Sequence, residues 1–547
     1  MSRLLRPRPP LRGALALMLR ISLSAPLLAV SAAPAWSQLA ERYDVLIRGG
    51  TVVDGTGSAR FRADVALRGD RIVRVSRSGL DPQSAGTVIE AEGRIVAPGF
   101  IDLHAHLDPL LRLPDAESHV RQGVTLALGG PDGGGPLPLA PYMDSAQRAG
   151  LGMNVAFLVG HNSIRERVMG LDDRAPTAAE LARMQALVAD GMDDGAFGLS
   201  TGLRYIPGFY SKTDEVVALA RVAAARGGIY TSHLREEGLG LFEGVAEAIT
   251  IGREARIPVV LTHHKAIGRQ MWGQSVRTLA MVDSARSAGI DVMIDQYPYT
   301  ASQTSLSVLI PPWALANGDT ALARRMKDPV LRDSIVRGVI EYLLNDRGGG
   351  DIKRVQFGRV SWKHDLEGRT LYDWAVERGV EPTPAAAAPL VVEGELNGGA
   401  SMIYHVIDEG DVRRIMGHPQ TMIASDGRLT RPGEGQPHPR AYGTFPRVLG
   451  RYVRELGVLS LEQAVHKMTG MPAARLGLPD HGEVREGATA NLVVFDAATV
   501  ADQATFTAPH QYPVGIDEVL VNGVRVVANG AMTSARPGRV LRKGVAR

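Results

Sequence analysis

Two hydrophobic rhythms divide the chain. From Tyr43 the apolar positions recur at every second residue, in YDVLIRGGTVVDGTG and ADVALRGDRIVRVS, with Gly-Gly and Gly-Asp pairs between them. A period of two broken by turn residues reads as short strands with one buried face. The same style returns near the other end in ANLVVFD and VLVNGVRVVANG, where two Asn-Gly pairs mark hairpin turns. Both ends therefore contribute to one predicted β-sandwich domain, residues 38–97 and 480–547.

Between the ends, eight apolar runs end in polar or glycine-rich phrases: GFIDLHAH, GVTLALGG, NVAFLVGH, AFGLSTGL, GIYTSHLR, VVLTHHK, DVMIDQYPY and TMIASDG. Helix-period segments separate them. Leu181, Met184 and Leu187 share one face behind a capping box of Thr177 and Glu180, and LFEGVAEAITIGREA and RVLGRYVRE are similar. Strand and helix in alternation predict a parallel sheet, and eight units predict an α/β fold of the (β/α)8 TIM-barrel type over residues 98–479. Charged helix and strand fragments at about 311–395 form an insertion after the seventh strand. No tandem repeat stands beside this alternation.

The first 37 residues follow neither rhythm. A positively charged start, an apolar stretch and then small residues give the order of a secretory signal peptide, with cleavage expected near Ser37. Arg20 interrupts the apolar run, which is then too short to span a bilayer comfortably, so no stable membrane insertion is expected after cleavage. A twin-arginine motif and a lipid-accepting Cys are both lacking, which implies a periplasmic or secreted product. Removing the five arginines of this segment turns the formal net charge from +3 to −2, so the pI of 9.0 misleads and no nucleic-acid partner is expected. With 45% apolar and 22% charged residues, the remainder is of ordinary globular composition. Zero Cys excludes disulfides and thiolate chemistry, leaving oxygen and nitrogen donors.

In a (β/α)8 barrel the reactive groups sit at the C-terminal ends of the strands, around one concave site. His104 and His106 close the first run, and residues two apart on a strand point to one side, so both imidazoles can reach one ion. Alone, His-x-His says little. His233, His263 and Asp426 close the fifth, sixth and eighth runs, and this recurrence at one end of the barrel points to a metal centre. Either of His233 and His263 would also suit a hydrogen-bonded core position. Alternation turns His264 away from the side His263 faces.

These phrases resemble the amidohydrolase superfamily, through APGFIDLHAH and the C-terminal ANLVVFD. More narrowly the chain is similar to the N-acyl-D-amino-acid deacylases (D-aminoacylases), from about Tyr43 to its end, through HVRQGVT, NVAFLVGH, GLSTGLRYIPGFYSKTDE, YTSHLREEG, LTHHKAIG, DQYPYTA, SDG and HPRAYGTFPRVLGRYVRE. The resemblance implies a tightly held zinc at His233 and His263, a second position at His104 and His106, and Asp426 as catalytic acid/base. It also implies one or two Zn2+ ions, a small-molecule N-acyl amino acid substrate, and Tyr297 and Arg440 as contacts to the substrate carboxylate. Lys265, two residues past His263 and on the same side, is placed for that role by alternation. For Lys265 and Arg440 a solvated or structural charge is the plainer alternative, and for Tyr297 a packed ring.

Two departures stand out. In the family a Cys of a Gly-Asn-Cys-Gly phrase completes the tight site, and the matching GGPDGGG here puts Asp132 in its place. A carboxylate ligates zinc at about 2.0–2.2 Å and is the harder donor, able to bridge two ions. Asp-Gly is equally a turn signal. The run lacks the Lys-Ser/Thr ending of a phosphate-binding loop. The family's Ser near the end of DQYPYTA is replaced by Gln303. Relatives with a carbamylated Lys on strand four are a poorer match, because this strand ends in LSTGL. Three functions therefore stand in order: hydrolysis of N-acyl-D-amino acids, another metal-dependent amidase, peptidase or cyclic amidase, and a non-catalytic binding barrel. Retention of His104, His106, His233, His263 and Asp426 disfavours the last, and the second is harder to exclude because Asp132 alters the metal site.

Overall fold

The structure, a computed structural model, describes residues 42 to 544, and the signal-peptide segment lies outside them. Within the described residues no helix is long and apolar enough to cross a membrane.

The two ends of the chain meet in one nine-stranded sheet. Its ladder runs from Ala531–Met532 through Val524–Ala528, Ile516–Val521, Leu492–Phe495, Ile95–Pro98, Tyr43–Val52 and Phe61–Arg68 to Arg71–Ser76, and Ala85–Glu90 pairs with Tyr43–Val52. Alternation builds its core: Val45, Ile47, Val65, Leu67, Leu492, Val494 and Leu520 are buried in one apolar cluster. Both Asn-Gly pairs are hairpin turns with positive φ at each residue, Asn522 at 50° and Gly523 at 80°, Asn529 at 52° and Gly530 at 76°. That is the twist a two-residue hairpin needs.

The middle of the chain is a parallel barrel of strands β1 (Phe100–Asp102), β2 (Val124–Gly129), β3 (Asn154–Phe157), β4 (Gly198–Gly202), β5 (Ile229–His233), β6 (Val259–Leu261), β7 (Val292–Gln296) and β8 (Thr421–Ile423). β1 to β3 and β4 to β8 pair side by side in parallel. The pairing of Val159 with Leu199 links β3 to β4, and parallel pairing of Gly427–Arg428 with Ala105–His106 closes the ring just beyond β8 and β1. One set of alternate residues, including Ile101, Leu126, Leu128, Ala156, Ile229, Val260 and Met422, fills the interior. The other set, including Ala127, Val155, Tyr230, Val259 and Ile294, packs against the helices. The expected capping box is present, Thr177 and Glu180 holding the helix Ala178–Asp193.

Between β7 and β8 the chain leaves the barrel. Strands Ser302–Ser305, Val355–Arg359 and Ser401–Tyr404 form an antiparallel sheet with Ser401–Tyr404 in the middle, and helices including Pro329–Asn345 and Pro384–Leu396 pack about it. This excursion lies over the C-terminal ends of the barrel strands, where it supplies Gln303, Thr304, Val308, Arg359 and Ser401 to the wall of a cavity of about 1040 Å3.

Candidate metal centre and active site

The strand ends bring six of the residues singled out from the sequence together: His106, Asp132 and Asp426 line that cavity, and His104, His233 and His263 are buried beside them. His104, His106, Asp132 and Asp426 offer ligand atoms mutually within 4.8 Å, and Asp132, His233 and His263 form a second such group. Asp132 belongs to both. Its Oδ1 lies 3.4 Å from His104 Nε2 and 3.4 Å from His263 Nε2, while Oδ2 lies 3.6 Å from His106 Nε2 and 3.9 Å from His233 Nδ1. Two ligand atoms each about 2.0–2.1 Å from a shared tetrahedral ion stand about 3.3 Å apart, so these separations fit divalent cations between the groups. His233 Nδ1 and His263 Nε2, at 2.8 Å, need only open slightly. His104 Nε2 and Asp132 Oδ1 are buried without any hydrogen-bond partner, a costly state for polar atoms unless something else satisfies them. The donor set therefore fits a metal.

The backbone is bent to make this possible. Asp132, His263 and Asp426 all take positive φ, at 54°, 36° and 49°, where a side chain is strained. Three such residues meeting at one point mark a site rather than three ordinary turns. Gly133, at φ 75°, sits so close to Asn162 that a Cβ there would lie 2.0 Å from its Oδ1. The glycine run thus lets the loop press against its neighbours while turning Asp132 inward.

Burial alone would push the carboxyls of Asp132 and Asp426 up, but the surrounding charges win. His104 and His263 hold Asp132 well below the usual carboxylate range, and Arg440 with His104 does the same for Asp426. Both are therefore anionic, as ligands or proton acceptors must be. Arg440 NH1 lies 2.7 Å from Asp426 Oδ2, and His106 Nε2 lies 3.0 Å from Oδ1. Arg440 is 3% exposed and its Nε and NH1 still lack a well-directed acceptor, so the guanidinium retains donors for another anion. It also covers the ring of Tyr297 at 4.7 Å, and the Tyr297 hydroxyl is buried without a partner.

Lys265 is on the side of His263, as alternation predicts, yet its ammonium does not line the cavity. Glu237 Oε1 holds it at 2.5 Å, and it also lies 2.8 Å from His263 Nδ1. His264 points away and bonds Thr278 at 2.8 Å. Gln303 lines the cavity, its amide nitrogen donating to Ser401 and its oxygen accepting from the His438 N–H.

Sequence reasoning passed over several groups. Glu237, four residues after His233, is 2% exposed and also faces Arg347 of the insertion, whose NH2 lies 3.5 Å away. Asp102 accepts bonds from the Ser425 hydroxyl and backbone N–H and from the His104 N–H, so it ties β1 to β8, and burial pushes its carboxyl up to about 6. Asp295 accepts the His263 N–H at 2.6 Å. Tyr205 presents its hydroxyl 3.2 Å from His233 Nδ1. A signal did exist for Asp102 and Asp295: acids inside otherwise apolar strand phrases are seldom buried without a task.

The chain is similar to known proteins over most of its length. Residues 87–327 and 352–527 match the amidohydrolase family. The chain is 40% identical over 530 residues to N-acyl-D-glutamate deacylase of Alcaligenes xylosoxydans xylosoxydans, covering 92% of this chain and 97% of that one. It is 38% identical over 528 residues to D-aminoacylase of the same organism, covering 92% and 98%. N-acyl-D-glutamate deacylase of Bordetella bronchiseptica, solved with zinc and a phosphonate mimic of the tetrahedral intermediate, superimposes with a TM-score of 0.78 at 37% identity, covering 92% of this chain and all of that one.

Proposed function

The chain belongs to the amidohydrolase family, and from that premise we propose that it is a zinc-dependent hydrolase of N-acyl-D-amino acids. It cleaves the amide bond and releases a carboxylic acid and a free D-amino acid. The observation that carries this reading is the convergence of four histidines and two anionic carboxylates in one cluster that opens onto the cavity through His106, Asp132 and Asp426, in a chain similar to D-amino-acid deacylases over nearly its whole length.

His233, His263 and Asp132 would hold one ion, and His104, His106 and Asp132 a second. Zinc bound there supplies Lewis-acid chemistry, polarising a carbonyl and making water acidic enough to attack near neutral pH. Asp426 accepts a proton from the attacking water and delivers it to the departing nitrogen, so that one carboxylate serves as base and then acid. Arg440, with donors left over from Asp426, meets the substrate α-carboxylate, and the unpartnered Tyr297 hydroxyl adds a neutral donor. Asp132, with its oxygens toward both histidine pairs, would hold either ion from the position the resemblance gives to a thiolate.

Residues 1–37 support export to the periplasm or medium through their charged, apolar, then small-residue order. N-terminal sequencing of the protein from a periplasmic fraction should begin close to Ser37, and an intact N-terminus retained in the cytoplasm would refute export. The function itself is tested by metal analysis of the purified protein followed by assay against panels of N-acetyl-D- and N-acetyl-L-amino acids. One or two zinc ions per chain and turnover confined to D substrates are expected. Turnover of L substrates alone, or of cyclic amides alone, would overturn it.

A further inference from the structure

Behind the two imidazoles of the buried half-site stands a single carboxylate. His233 turns Nδ1 and His263 turns Nε2 toward Asp132. Their opposite nitrogens both face Glu237: His263 Nδ1 lies 3.2 Å from Oε1, and His233 Nε2 lies 3.5 Å from Oε2. Each oxygen of the carboxylate thus addresses one histidine. His233 Nε2 and Glu237 Oε2 are both buried without a hydrogen-bond partner, and each is the polar atom placed to satisfy the other. Lys265, at 2.5 Å from Oε1, and Arg347, at 3.5 Å from Oε2, supply the positive charge that lets a carboxylate sit 2% exposed.

Resting on the zinc reading above, we propose that Glu237 is a positioning residue for the tight metal. Its two oxygens accept N–H bonds from both histidines and so fix which nitrogen of each faces the ion. A neutral imidazole carries one N–H, and an acceptor behind the ring decides where it goes, orients the plane and makes the other nitrogen a better donor. Here one side chain does this for two ligands from adjacent strands. The loop after β5 can do so because Glu237 follows His233 by four residues and its backbone C=O accepts from the Ile267 N–H at 2.9 Å, pinning it against the loop after β6. Lys265 Nζ also lies 2.8 Å from His263 Nδ1 and can only donate, so when that nitrogen donates to Oε1 the ammonium gives up this contact and keeps the carboxylate and the His263 carbonyl, which it already touches at 2.9 Å.

A purely structural role for Glu237, as counter-ion to Lys265 and Arg347, makes a different forecast. Glu237→Gln would leave two buried cations short of charge, and Glu237→Gln with Lys265→Met would relieve that. If Glu237 were only a counter-ion, the double variant would recover both folding and zinc binding. As a positioning residue it leaves one histidine without an acceptor, because an amide has only one oxygen. The double variant should then melt close to the parent in the metal-free state, bind zinc about 10- to 100-fold more weakly in chelator competition, and show altered visible bands when loaded with Co2+. Zinc affinity within about twofold of the parent, with an unchanged cobalt spectrum, would overturn the proposal. Should the double variant not fold, a crystal structure of the zinc-loaded parent decides: both imidazoles must bind through the nitrogens facing Asp132 with the others bonded to Glu237, and a ring turned the other way overturns it. A parent that takes up no zinc would fail the zinc reading itself, and this inference with it.

Discussion

His233 and His263, on the β5 and β6 side of the centre, leave 4% and 2% of their side chains exposed, whereas in the β1 pair His104 is wholly buried and His106 leaves 28% and opens onto the cavity. The first pair is enclosed by Glu237, Lys265 and Arg347, and the second faces Asp426 and, through it, Arg440. Asp132 is the member common to both groups. A closed pocket with its own buried carboxylate suits an ion that stays, and an open one lined by a proton acceptor and a guanidinium suits the place where bonds are made and broken. The contrast yields variants whose effects should separate cleanly.

The largest effect is expected on the closed side. His233→Ala or His263→Ala removes one of three ligands, so tight zinc and activity should disappear together, read by metal analysis and turnover of the same preparation. Full zinc occupancy in both variants would dissolve the distinction. On the open side Asp426→Asn keeps shape but cannot accept a proton. Zinc should remain at the parent level while turnover falls about 10²- to 10⁴-fold. Near-normal turnover would take Asp426 out of the chemistry.

How much of this contrast could be read from the sequence depends on whether the signal was local. All eight strand ends were legible because an apolar run stops at a polar phrase, and His104, His106, Asp132, His233, His263 and Asp426 sit at those stops. The strand Ser302–Ser305 was not, since SQTS has no apolar alternation and is extended only because Ser401–Tyr404 pairs with it. The phrase RVLGRYVRE predicts an ordinary helix, yet Arg440–Arg447 passes into a wider π-helical turn over Val448–Glu455. Pro446 has no N–H to give the carbonyl four residues back, and a slip in hydrogen-bond register follows naturally at that point. Glu237 was within reach as the fourth residue after His233, but Arg347, which neutralises it, is brought in from the insertion, 110 residues along the chain, and no spacing rule connects the two.

A smaller effect concerns the substrate's own charge. Arg440→Met removes a charge-assisted contact of about 1.5–3 kcal/mol, so kcat/KM for N-acetyl-D-amino acids should fall about 10- to 100-fold while the matching carboxamides suffer less. Lys265→Met tests the boundary between the halves. Because its ammonium is held by Glu237 instead of lining the cavity, acid and carboxamide substrates should lose rate to the same extent. A selective loss for the acids would return Lys265 to the substrate side.

The smallest effect, and the sharpest test of the shared member, is expected from Asp132→Cys. Both carboxylate and thiolate are accepted zinc ligands, so the closed side should keep its ion and activity with zinc should stay within about a factor of ten. The carboxylate differs in having two oxygens, Oδ1 at 3.4 Å from both His104 and His263, and Oδ2 toward His106 and His233. It can hold two ions at once, and as a harder donor it accepts Mn2+ or Co2+ more readily than sulfur does. Titration of metal-free protein should therefore show two bound ions per chain in the parent and a weakened second ion in Asp132→Cys, with Mn2+ losing more than Zn2+. Asp132→Ala, which removes the donor altogether, should weaken the first ion as well. If Asp132→Cys and the parent bind two ions equally, the bridge contributes nothing and the two halves are held independently. If a zinc-bound structure places the Asp132 carboxylate more than about 4 Å from either ion, the glycine-rich loop is only a turn, because ligand oxygens lie near 2 Å.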